Sequence, residues 1–180
     1  MMRKSIYRYL YMCIGRHLSV SYKNCIFWRI ARKFRYWLCK HFFEYCGEGV
    51  NIEKGAVFGK GDKIRIGNNS GIGINADIPN GSIIGNDVMM GPNCKVYSIN
   101  HVYERTDIPM RRQGMTKPKP IIIEDDVWIG GDVTFTVGRH VSKGTVVAAN
   151  SVVTRDFPPY SIIGGNPAKL IRSRLENNNE

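Results

Sequence analysis

Large apolar side chains return at every sixth residue over two long stretches of this chain. Ile66, Ile72, Ile78, Ile84, Met90 and Val96 form the first run, and Ile123, Ile129, Phe135, Val141, Val147 and Val153 form the second. A helix repeats its buried face about every 3.6 residues and a strand about every 2, so neither accounts for a spacing of six. Four residues after the first run come Ser70, Ala76, Ser82, Val88, Cys94 and Asn100, all modest in size, and glycines such as Gly67, Gly73, Gly85, Gly91 and Gly130 directly follow several of the large residues. A repeat of this kind takes precedence over local propensity.

A short strand followed by a turn gives one six-residue side. Three such sides close one coil of a triangular prism, with the large and the small residue pointing inward and Gly or Asn taking up the turn conformation. A single coil buries too little to be stable, so coils must stack. Residues 66–101 supply two coils, 123–157 nearly two more and 50–65 a less regular first one, about five in all. The two runs are offset by 57 residues, from 66 to 123, which is not a multiple of six. Residues 102–122, VYERTDIPMRRQGMTKPKPII, are therefore expected to loop out of the prism, and long loops in compact domains are usually functional. Residues 158–180 read as a turn, a short basic helix and a frayed Asn-rich tail.

Charge divides the chain differently. Residues 1–45 carry ten Lys/Arg against one Asp/Glu, or +9, while residues 46–180 carry sixteen against fourteen, or +2. Twelve of the nineteen aromatics also lie in residues 1–45. On a helical wheel of 26–43, Ile26, Trp37, Ile30, Phe34, Phe27, Leu38, Ala31 and Phe42 share one arc, and Arg29, Arg32, Lys33, Arg35 and Lys40 lie opposite. This predicts a basic amphipathic segment at 1–45 and a prism domain at 46–180. The apolar arc is expected to cap the first coil, and the basic arc to attract an anionic membrane weakly. The N-terminal stretch is broken by Arg8 and Arg16 and is too short to span a bilayer, so a cytoplasmic protein, peripheral at most to the inner membrane face, is expected. The five cysteines show no CxxC spacing, and reduced thiols are the simplest reading.

The residues NH at 100–101, DDVWIGGDV at 125–133 and AANSVVTRDFPPYSIIGGNPAKLIR at 148–172 carry a resemblance to the hexapeptide-repeat acyltransferases. Within them the chain is most similar to the maltose/galactoside O-acetyltransferases and their relatives acting on capsular and lipopolysaccharide sugars. The resemblance covers about 47–172 and implies a left-handed parallel β-helix, an all-β solenoid. It also implies homotrimers with sites shared between subunits, acetyl-CoA as acyl donor and a saccharide acceptor in surface-polysaccharide synthesis. It places His101 as the general base, a role suited to imidazole because it titrates near neutrality. Trp128, Gly130, Gly131 and Ala149 match positions along the pantetheine arm, and Thr154, Arg155, Lys169 and Arg172 match positions meeting the CoA phosphates. Asn75 and Asn100 are the acceptor-side candidates, although the family's own pattern is not reproduced around Asn75. Arg139 occupies an inward position of the repeat, where an unpaired arginine would be costly, so it is expected to turn outward or to find a carboxylate.

Other chemistries use the same prism. N-acetylation of an amino sugar or nucleotide sugar, and antibiotic acetylation, stay open as alternatives. A γ-class carbonic anhydrase would need three histidines at the inter-subunit groove; the prism offers only His101 and His140, so no metal is expected. No recognised nucleic-acid motif accompanies the basic residues, and no nucleic-acid partner is expected.

Overall fold

The computed structural model describes residues 2–21 and 26–176. From Tyr45 onward the chain winds through about six turns of a parallel solenoid, one more than the repeat count predicts. The first face stacks Tyr45–Cys46, Arg65–Ile66, Ile83–Ile84, Ile122–Ile123 and His140–Val141. The second stacks Met89–Met90, Trp128–Ile129, Val146–Val147 and Ser161–Gly164, and Asn51–Ile52 with Gly71–Ile72 lies below them. The third stacks Lys95–Val96, Thr134–Phe135 and Val152–Val153, extended downward by bridges through Asp77 and Val57. Arg65 pairs with Ile83 and Ile122 with His140, each eighteen residues apart, which is three sides of six.

Each two-residue strand sends its first side chain outward and its second inward. Ile52, Ile66, Ile72, Ile84, Ile123, Ile129, Phe135, Val147 and Val153 are all buried as a result. The inward corner residues Ser70, Ala76, Ser82, Val88 and Cys94 are buried as expected. Their polar atoms are satisfied locally: Ser70 Oγ donates 2.7 Å to Gly85 O and accepts from Val88 N at 3.0 Å. Asn100 breaks the series; it is exposed and lies outside the prism.

The glycines that directly follow the large inward residues serve a purpose other than the expected one. The left-handed turn conformation belongs to Asn69, Asn75, Asp87, Asn93, Asp126, Asp132 and Asn150, with φ between 54° and 59°, a region Asn and Asp tolerate, and to other glycines such as Gly138 and Gly144 at 69° and 68°. Glycines such as Gly73 and Gly91 are needed because the next coil passes too close: a Cβ on Gly73 would sit 1.8 Å from Gly91 O, and one on Gly91 2.6 Å from the Gly130 carbonyl carbon.

Two helices, α1 (Met2–Cys13) and α2 (Ile26–Phe42), cover the first coil. Tyr11, Phe42, Phe43 and Phe58 form an aromatic cluster between helices and prism, and the Tyr11 hydroxyl donates to Ala56 O at 2.9 Å. The wheel reading needs correction here. Arg35, expected on the outer basic arc, is fully buried. Its Nε donates to Ile52 O at 2.5 Å, Nη1 to Ser19 O at 2.9 Å and Nη2 to Ser21 Oγ at 3.0 Å, with Glu53 at 3.8 Å. Conversely Ile26, Phe27, Ile30 and Trp37, expected to pack on the protein, are 69%, 72%, 58% and 44% exposed. The helix is turned so that Ala31, Arg35, Leu38, Cys39 and Phe42 face inward.

The C-terminal helix expected at 158–180 is also absent among the described residues. Lys169–Ser173 instead pairs antiparallel with Ser161–Gly164 and closes the upper edge of the second face. Pairing there satisfies the backbone groups that Ser161–Gly164 would otherwise leave open. The Asn-rich tail at 177–180 and Cys25 lie outside the described residues. Cys39, Cys46 and Cys94 are buried free thiols and Cys13 is an exposed one. No helix among the described residues is long and apolar enough to cross a membrane.

Candidate active site

The excursion leaves the prism at the corner between the third and first faces and returns to the same corner. It begins earlier than the sequence suggests. Lys119 N donates to Ser98 O at 2.7 Å, Thr116 N to Asn100 O at 2.8 Å and Val102 N to Gly114 O at 3.1 Å, while His101 bridges Met115 in antiparallel fashion. Residues 98–119 are thus a paired arm, and His101 stands on it, exposed, rather than at the end of a coil. The tip is clasped by Gln113, whose Nε2 donates to Arg105 O at 2.7 Å and Ile108 O at 3.1 Å, and by an Arg105–Asp107 ion pair. That pair holds the Asp107 carboxyl below its ordinary pKa.

The remaining candidates fall into separate places. Trp128 points outward from the second face, 54% exposed, in one row with Met89 and Val146. Gly130, Gly131 and Ala149 form the corner between the second and third faces, and a Cβ on Gly130 would sit 2.6 Å from Ala149 N. Thr154 and Arg155 sit at the other edge of the third face, the corner from which the arm springs, with the Arg155 guanidinium 5.1 Å from the Phe157 ring centroid. Lys169 and Arg172 are on the C-terminal hairpin, both exposed. None of Arg155, Lys169 and Arg172 has an ion-pair partner among the described residues, which leaves three uncompensated cations near one end of the prism. The third face separates Trp128 from His101, so a single chain does not bring them together.

Asn75 and Asn100 also part company. Asn75 belongs to a ladder up the second corner: its Nδ2 donates to Asn93 Oδ1 at 3.2 Å, and Asn93 Nδ2 donates to Asp132 Oδ1 at 3.0 Å. The ladder lines a hollow of about 360 Å³ with Lys95 and Thr134. Sequence reasoning missed Lys95, Asp132 and Thr134, although their places just before or after inward residues already mark them as outward-facing. Arg139 finds the expected carboxylate, Asp156, at 3.2 Å, and also donates to Thr154 O at 3.0 Å. His140 pairs with Glu124 across the first face at 2.8 Å. Among the described residues no three His, Cys, Asp or Glu side chains converge as a metal-ligand group.

A scan against models of protein families returns no match. The chain is 31% identical over 137 residues, 75% of its length, to the galactoside O-acetyltransferase of Escherichia coli, and spans 66% of that relative's length. Among solved structures it is similar to a hexapeptide-repeat-containing acetyltransferase from Vibrio cholerae, with TM-score 0.75 and 31% identity over 96% of this chain and 90% of that one. It is also similar to a galactoside acetyltransferase solved in complex with coenzyme A, with TM-score 0.74 and 26% identity over 96% of this chain and 79% of that one.

Proposed function

This chain belongs to the hexapeptide-repeat acetyltransferases, and on that premise we propose that it transfers acetyl from acetyl-CoA to a sugar hydroxyl, with His101 as general base. The observation that carries the reading is the division of the candidate residues between the two edges of the third face. In a trimer of parallel prisms, the edge bearing Trp128, Gly130, Gly131 and Ala149 on one copy would face the edge bearing His101, Thr154 and Arg155 on its neighbour. Each groove would then hold a complete set of groups, and the arm would reach over the adjoining copy.

In this groove the pantetheine lies against Trp128 and the flat Gly130–Ala149 corner, where side chains would bar its approach. Arg155, Lys169 and Arg172 meet the phosphates. The neutral imidazole of His101 takes the proton of the sugar hydroxyl as its oxygen attacks the thioester carbonyl. The tetrahedral oxyanion is stabilised by a backbone N–H. Gly130 N–H is already engaged by Val147 O at 2.8 Å, which leaves the Gly131 N–H as the candidate donor. Collapse expels the CoA thiolate, and the imidazolium returns its proton to the sulfur. The acceptor occupies the hollow at Asn75, Lys95 and Thr134, whose amide, ammonium and hydroxyl suit a saccharide of surface-polysaccharide synthesis.

The test is thiol release from acetyl-CoA across capsule and O-antigen precursors, with His101→Ala in parallel. The variant is expected to keep its oligomeric state and lose about 10²–10⁴-fold in turnover. Turnover like the unmodified protein's would remove His101 from the chemistry.

A further inference from the structure

Beside α2, away from the prism faces that hold the candidate active site, lies a cleft of about 430 Å³. Trp28, Arg29, Arg32, Lys33 and Tyr36 line it from the helix, and Val50 lines it from the first coil. None of its lining residues is acidic, and Arg29, Arg32 and Lys33 have no ion-pair partner among the described residues. The buried indole N–H of Trp28 has no acceptor among them either. A donor left in this state costs free energy until an oxygen reaches it, and three cations gathered without counter-charge favour an anion.

The neighbouring strip of the same helix identifies the anion's carrier. At about 100° per residue, Ile26 and Ile30 fall immediately round the helix from Lys33, on the side turned away from the buried residues Ala31, Arg35 and Leu38, and Phe27 lies in the first turn about 60° beyond Ile30. Ile26, Phe27 and Ile30 are 69%, 72% and 58% exposed. A soluble phosphate would use the cations and leave this apolar ridge in water. An anionic bilayer uses both, which is how helices lie in a membrane interface: aliphatic and aromatic side chains enter the acyl boundary while flanking Arg and Lys meet the headgroups.

We propose that α2 is an interfacial membrane-docking helix, with Ile26, Phe27 and Ile30 inserted and the Trp28–Arg29–Arg32–Lys33 cleft seating the phosphate of an anionic phospholipid. The apolar ridge, and not only the basic arc, makes the contact. The buried Arg35 takes no part in it. The proposal is independent of acetyl transfer.

Full-length protein is sedimented with vesicles of phosphatidylglycerol and phosphatidylcholine, and with phosphatidylcholine alone, at low and high salt. Two variants accompany it, Arg29→Gln/Arg32→Gln/Lys33→Gln and Ile26→Ser/Phe27→Ser/Ile30→Ser. Thermal melts and size-exclusion profiles establish that both are folded, as expected for positions outside the buried core. The intact protein should bind the anionic vesicles and be released by salt. The charge variant should bind about a hundredfold more weakly, and the apolar variant at least tenfold more weakly. If the apolar variant bound as well as the intact protein, the ridge would not be a membrane contact. Millimolar inorganic phosphate displacing the protein completely would make the cleft a site for soluble anions. Equal binding to both vesicle types, or a changed oligomeric state of the apolar variant with vesicle binding intact, would overturn the assignment in favour of non-specific adsorption or a second copy of the chain.

Discussion

Replacing Arg35 by Met should loosen the attachment of the N-terminal helices to the prism, and the structure sets the size of the effect. The methionine keeps most of the buried stem but removes three donors. Ile52 O and Ser19 O then lose partners at 2.5 and 2.9 Å, and Ser21 Oγ loses one at 3.0 Å. A buried acceptor left unpaired costs about 1–3 kcal/mol, which applies to Ile52 O and Ser21 Oγ, whereas Ser19 is exposed and its carbonyl can turn to water. Glu53 is the lesser loss: it stands 3.8 Å away and keeps the Ser21 N–H at 3.0 Å and Asn51 Nδ2 at 2.9 Å. The total comes to about 3–5 kcal/mol, in the range for removing one member of a buried charged network and a large share of a typical domain's stability. Urea denaturation of Arg35→Met against the intact protein measures it, and amide exchange at Leu18–Ser21 locates it. Arg35→Lys should recover only part of the loss, because an ammonium cannot serve three divergent acceptors as a guanidinium does. A loss below about 1 kcal/mol, or a Glu53→Gln variant as damaged as Arg35→Met, would show that the backbone acceptors are not what holds this arginine.

Three further outcomes are expected. Arg155→Ala and Lys169→Ala should each raise KM for acetyl-CoA with little change in kcat, since phosphate contacts remote from the reacting carbon act as uniform binding; an unchanged KM would move the phosphates elsewhere. Gly73→Ala, which drives a Cβ to 1.8 Å from Gly91 O, should cost about 3 kcal/mol in chemical denaturation, and a neutral result would mean the coils can separate freely. Glu124 accepts the Lys143 N–H at 2.7 Å and faces His140, which together hold its pKa below the ordinary value. Its contribution is complete above the unfolded glutamate value of about 4.3 and is lost as pH falls through the lower folded value. Glu124→Gln should therefore melt below the intact protein at pH 7, with the gap closing in acid; a gap that widens in acid contradicts the assignment.

The prism was legible because its signal is redundant: each of the twelve six-spaced residues repeats the same instruction. The candidate site was legible only as far as the corners it occupies. Trp128 and Gly130 could be placed on a face and a corner by counting, but His101 stands on an arm that obeys no period, paired with Met115. Arg35 shows a different limit. A wheel ranks side chains by their own solubility, and Arg35 is inward because Ser19, Ser21 and Ile52 deliver oxygens from segments outside the helix. Once that guanidinium is inside, Ile26 and Ile30 must turn out. The C-terminal strand was misread for a similar reason, since KLIRS takes its structure from the open edge beside it rather than from its own composition.

The eighteen-residue register also fixes where this chain can change length. Losing or gaining one whole coil would leave every later outward residue on its own face, only shifted by about 4.8 Å along the axis. Losing six residues anywhere below Trp128 would carry that side chain, and all those after it, round to a different face. The arm escapes this rule. Ile83 pairs with Ile122, 39 residues on, so the excursion adds 21 to the eighteen of a coil; the number is free because the arm departs and returns at one corner. Insertions and deletions should accumulate at the arm's tip in related chains, so that the reach over a neighbouring copy can be altered without disturbing the faces the neighbours share.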